Sequence, residues 1–109
     1  MSVLGGYGER AERARELVVE AWSLVAEACR SPCARDSCER IEDDLAAAMD
    51  EVEEAVRLPG PWLSLPHAQR AARRLEEEAR ALEGKGCGEE AELFREAARR
   101  LLMADALGG

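Results

Sequence analysis

Four stretches of roughly 20 residues repeat an apolar side chain at intervals of three and four, and turn-forming residues separate each from the next. That spacing is the period of an α-helix with one buried face, and no stretch shows the period-two alternation of a strand. The pattern therefore predicts an all-α chain with helices at about 9–29, 37–58, 65–83 and 88–107. The first helix lines up Ala14, Leu17, Val18, Ala21, Leu24, Val25 and Ala28, with Trp22 on the flank of the stripe as a core-edge aromatic. The second lines up Cys38, Ile41, Leu45, Ala48, Val52 and Ala55. The third presents Ala68, Ala72, Leu75, Ala79 and Leu82, and the fourth Ala91, Phe94, Ala98 and Leu101, with Leu102 beside them.

The helix ends are marked by residues with known preferences. Asp36, with Glu39 three positions on, reads as a capping box opening the second helix. The Pro59, Gly60, Pro61 run closes it, because proline lacks the amide hydrogen and its ring clashes with the preceding turn. Ser64 followed by Pro66 reads as the N-cap and first turn of the third helix, and Gly84 as its C-cap.

Helices of this size are about 30 Å long, and two of the three connections are short. Packing successive helices antiparallel is the simplest way to bury four stripes together, so the expected fold is an antiparallel up-down-up-down four-helix bundle. The chain has 109 residues, 47% hydrophobic and 35% charged, the size and composition of a single globular domain over 1–109. Alanine dominates the stripes, which favours close helix approach. With only two Trp, one Tyr and one Phe, the core should be thin.

The formal net charge is −8, and the acids are spread over all four helices, so the surface should repel phosphate backbones. Nucleic acid is not an expected partner. Arginines gather at Arg70, Arg73, Arg74 and Arg80 and at Arg95, Arg99 and Arg100, interleaved with glutamates at helical spacing, which reads as intrahelical ion pairing. No apolar run is long enough for a membrane span, and the first residues lack the basic and apolar segments of a signal peptide, so no membrane association and a cytoplasmic location are expected. Lys85 is the single lysine and Gln69 the single side-chain amide, while Asn and Thr are absent. Few thermolabile amides beside dense Glu and Arg suit a heat-adapted cell, in which cytosolic disulfides can persist, although a GC-rich genome also favours Arg, Ala and Gly.

Cys29, Cys33 and Cys38 surround the first connection and Cys87 lies in the third, and an up-down-up-down bundle brings both connections to one end. Three states are open: two disulfides, a four-thiolate site for zinc or an iron–sulfur cluster, or free thiols packed as small apolar residues. The natural pairing in the first is Cys29 with Cys38 across the turn and Cys33 with Cys87 between the two hairpins. Zinc sites use ligand pairs two to four residues apart, and Cys87 has no near neighbour, so the disulfide state leads and no cofactor is expected. Cys38 and Cys87 also lie near helix N-termini, where peptide dipoles favour a thiolate, the one sequence argument for redox activity.

The opposite end collects Val3, Leu4, Tyr7, Trp62, Leu63, Met103 and Leu107, an apolar group that either caps the core or binds a partner. Tyr7, Trp62, Leu63 and Met103 are the candidate partner-binding residues. His67, the single histidine, should be an exposed residue at that same end. The carboxylates of the second helix do not make a di-iron site, since the chain has no Glu-x-x-His motif, and Gly84, Gly86 and Gly88 follow a helix where a phosphate loop would follow a strand. With no catalytic residues to nominate, the expected function is a non-enzymatic, heat-stable helical scaffold that binds another protein or itself. The alternative is a thiol-based metal or redox protein using the four cysteines.

Overall fold

The structure is a computed structural model that describes residues 3–58, 60–62 and 64–108, with side chains from residue 6 onward. Leu63 lies outside the described residues, as do the side chains of Val3 and Leu4. Four helices run as α1 (Val3–Ala28), α2 (Arg35–Arg57), α3 (Pro66–Gly84) and α4 (Gly88–Ala106), with a single 3-10 turn at Pro32–Ala34 between α1 and α2. No strand occurs among the described residues. Each helix packs against two neighbours in the cyclic order α1, α2, α3, α4, which is the up-down-up-down four-helix bundle. The molecule measures 51 × 18 × 18 Å.

The four stripes meet in one core in which alanine is the commonest residue and Phe94 the largest fully buried side chain. Small side chains let the helix backbones approach closely, so the core is narrow and close-packed, with Phe94 as the one fully buried aromatic among the described residues. Leu65, in the connection before α3, is 3% exposed and joins this core, which explains why that loop is so apolar. Trp22 and Leu24 are partly buried and pack against the core edge.

Several helix ends differ from their sequence signatures. α1 begins at Val3, well before residue 9, running through Gly5, Gly6 and Gly8 despite the low helix propensity of glycine. The guanidinium of Arg10 lies over the Tyr7 ring at 5.8 Å in this first part. α2 starts at Arg35, which puts Asp36 inside the first turn and leaves no side-chain N-cap. The capping role has moved upstream, where Ser31 Oγ accepts a 3.3 Å hydrogen bond from the Cys33 amide at the start of the 3-10 turn.

Ser64 does not cap α3 either. Pro66 needs no partner for its missing N–H, and the next two amides, those of His67 and Ala68, donate at 3.1 Å to the carboxylate of Glu51 on α2. The Leu65 amide and the Gln69 side chain donate to Asp105 near the end of α4. A helix start is thus closed by its two neighbours. At the other end of α3 the left-handed residue is Gly86, with φ of 84°, and not Gly84. The Cys87 amide donates to Leu82 O and the Gly86 amide to Glu83 O, the paired bonds of a Schellman motif, with buried Leu82 and Cys87 in the positions of its apolar contact.

Candidate functional site

The cysteine end is assembled by the turns just described. Cys29 follows the last residue of α1, Cys33 sits in the 3-10 turn, Cys38 lies in α2 one turn before Ile41, and Cys87 is both the residue closing the Schellman motif of α3 and the N-cap of α4. All four are joined as disulfides: Cys29 to Cys38, with Cα atoms 6.1 Å apart, and Cys33 to Cys87, with Cα atoms 6.3 Å apart. Both separations fall in the range a disulfide spans without moving the backbone. The first bridge closes the turn between α1 and α2, and the second ties that hairpin to the α3–α4 hairpin. No thiolate remains to ligate zinc, and among the described residues no three His, Cys, Asp or Glu side chains are placed to share a metal ion.

Beside the bridges lies a buried polar contact between α2 and α3. Glu78 is 8% exposed, accepts a 2.7 Å hydrogen bond from Ser37 Oγ, and accepts two 2.9 Å hydrogen bonds from the Arg40 Nε and Nη2 atoms. The Arg40 fork, with Ser37 and the nearby charge of Arg74, holds the Glu78 carboxyl below its ordinary value against the opposing effect of burial. Every oxygen that enters the interior here has a donor, so the carboxylate fixes which residues of α2 and α3 face each other.

An open groove of about 360 Å³ runs along the outside of the α1–α2 seam from this end. Val25, Ile41 and Leu45 form its apolar floor, Trp22 one wall, the Cys29–Cys38 bridge part of its lining, and Glu39 and Glu42 its α2 rim. The seam is open here because α1 and α2 meet less closely than the other neighbouring pairs. Farther along it, Arg15 spans to Glu53 at 3.8 Å. Trp22 was legible as an edge aromatic, but nothing in the periodicity showed that its seam would be the loose one.

At the opposite end Trp62 is half-buried against the core, and a Cβ on Gly108 would overlap its indole, so the close approach requires glycine there. Leu107 packs beside the core as well. Tyr7 is half-buried, whereas Met103 remains 52% and Leu58 70% exposed. Part of the apolar group therefore caps the core and part stays open. His67 is half-buried with its Nδ1 atom covered, not exposed as its position in the sequence suggested.

The arginine clusters pair both within and between helices. Arg99 and Arg100 bind Glu96 within α4, while Arg100 also reaches Glu20 on α1, Arg95 reaches Glu83 on α3, and Arg74 reaches Asp44 on α2. No described helix is long and apolar enough to cross a membrane. No protein family, curated protein or solved structure was found to match the chain. The functional reading rests on its own residues.

Proposed function

We propose that this protein is a non-enzymatic helical scaffold, braced by two disulfides, that acts by binding another protein or a second copy of itself. The observation that carries the reading is apolar surface left open beside a close-packed bundle: Leu58 and Met103 stand exposed at the end of the bundle where half-buried Tyr7 and Trp62 also lie. Solvent-exposed apolar side chains grouped in one place are what a protein-binding surface requires. Tyr7, Trp62, Leu63 and Met103 are the residues proposed to contact the partner. Nucleic acid is not the proposed partner, because a net charge of −8 opposes a phosphate backbone. The scarcity of amides and the density of Glu and Arg support a heat-stable protein, and the cytoplasm of a heat-adapted cell is a compartment in which its disulfides would persist.

Sedimentation velocity over a concentration series, with binding of a hydrophobic dye measured in parallel, tests this. The chain should either self-associate or bind dye, and Leu58→Glu with Met103→Glu should suppress whichever is seen. A strict monomer that binds no dye would contradict the reading.

A further inference from the structure

The α1–α2 groove has an apolar floor and a charged rim of one dominant sign. Glu39 and Glu42 line it, while Asp36, Asp43 and Asp50 lie further round α2, on its outward face and outside the groove lining. Among the described residues none of these five acids has an ion-pair partner, whereas Asp44, Glu53 and Glu54 are paired with Arg74, Arg15 and Arg57. Arg35 is the one cation among the described lining residues, at the disulfide end. Such a surface would gain from an occupant that places an apolar ridge on Trp22, Ile41 and Leu45 and positive charge along α2.

This chain offers no such ridge itself. The exposed positions of α3 carry Arg70, Arg73 and Arg80 but no large apolar side chain; on α4, where Leu102 and Met103 are exposed, Arg99 is engaged by Glu92 and Glu96, and on α1, where Val19 is exposed, Arg13 and Arg15 are engaged by glutamates. A second copy also brings the same net negative charge. We propose that the groove binds a basic amphipathic helix of a partner protein, with Trp22 as the apolar anchor and the unpaired Glu39 and Glu42 on the rim reading the positive face. This deepens the scaffold reading and rests on it. The Cys29–Cys38 bridge then has a second consequence, since it fixes the spacing of the two helices that form the groove.

The test titrates the full-length oxidised chain with a synthetic helix of about 18 residues, leucines on one face and Lys and Arg on the other, long enough to lie along roughly 27 Å of the seam. Calorimetry gives the affinity, and amide shifts of the labelled protein give the location. Saturable binding is expected, with the largest shifts centred on residues 22–29 and 35–45, and affinity that falls as salt rises. Trp22→Ala should weaken it about tenfold or more, as loss of an aromatic anchor does. Glu39→Lys with Glu42→Lys, at exposed positions that leave the core untouched, should weaken it at least as much, and a peptide with Glu replacing Lys and Arg should not bind. Shifts centred elsewhere, an affinity indifferent to the Glu39 and Glu42 changes, equal binding of the acidic peptide, or no binding would each overturn the groove assignment. None of these would decide the scaffold reading, which the dye and sedimentation measurements at the other end judge separately.

Discussion

At the scale of single residues, the positions that specify this bundle are a few polar groups and two glycines, Gly86 and Gly108, set against an interior of alanine. Glu78 is the clearest. Its folded-state carboxyl is held below the ordinary value of 4.5, so the folded protein resists protonation where the unfolded chain accepts it. The stability this contributes is present above pH 4.5 and is lost as pH falls through the depressed value. Glu78→Gln should cost about 1–3 kcal/mol at neutral pH and make the acid limb of the stability profile shallower, as urea titrations at a series of pH values will show. A variant with an unchanged acid limb would separate Glu78 from acid stability. Gly86→Ala should cost about 1 kcal/mol, because alanine is strained in the left-handed backbone at φ 84°. Gly84→Ala should be neutral or stabilising, since that residue is helical. Periodicity foretold most of the buried stripe residues, although Leu24, Cys38 and Ala55 are only partly buried, and it said nothing of Glu78. A glutamate at a stripe-flanking position looks the same in sequence whether it meets water or an arginine on the next helix.

At the scale of elements, the helices themselves were legible and their ends were not. Apolar spacing reports a buried face, which is a property of a helix as a whole. Capping depends on which groups lie within hydrogen-bond reach, and here the donors of α3 are met by Glu51 from α2 and Asp105 from α4. A local signature such as Ser64 before Pro66 cannot register a cap delivered by another helix, and Asp36 before Glu39 was displaced when the 3-10 turn let α2 begin at Arg35. Glu51→Ala should therefore destabilise by about 1 kcal/mol, while Ser64→Ala should have little effect. Chemical denaturation of the two variants side by side checks this, and the reverse ranking would restore the local cap. The first helix was placed from about residue 9 because its apolar stripe begins beyond it, yet α1 continues back to Val3 through glycines of low helix propensity.

At the scale of the whole molecule, topology and cysteine placement together account for the brace at one end. Convergence of the cysteines was legible, because an up-down-up-down order puts the first and third connections side by side. The loose α1–α2 seam was not, because how closely two helices meet depends on side-chain sizes across both of them. The Cys33–Cys87 bridge closes a loop of about 55 residues and should contribute about 4 kcal/mol in the chain-entropy model, against about 2.7 kcal/mol for the short loop between Cys29 and Cys38. Replacing Cys33 and Cys87 by serine should thus lower the melting temperature more than replacing Cys29 and Cys38, by on the order of 15–25 °C in the first case. Calorimetry of the two double variants decides it; equal or inverted losses would mean that the bridge between the hairpins is not the main brace.

The four cysteines brace the bundle as two fully formed disulfides. The most direct test is the intact mass of native protein denatured with a thiol-blocking reagent, with elemental analysis of the same sample and a proteolytic map of the linked peptides. The account predicts a mass four hydrogens below the reduced chain, no blocked thiol, no stoichiometric metal, and peptides joined through Cys29–Cys38 and Cys33–Cys87. Four blocked thiols accompanied by stoichiometric zinc or iron would contradict it.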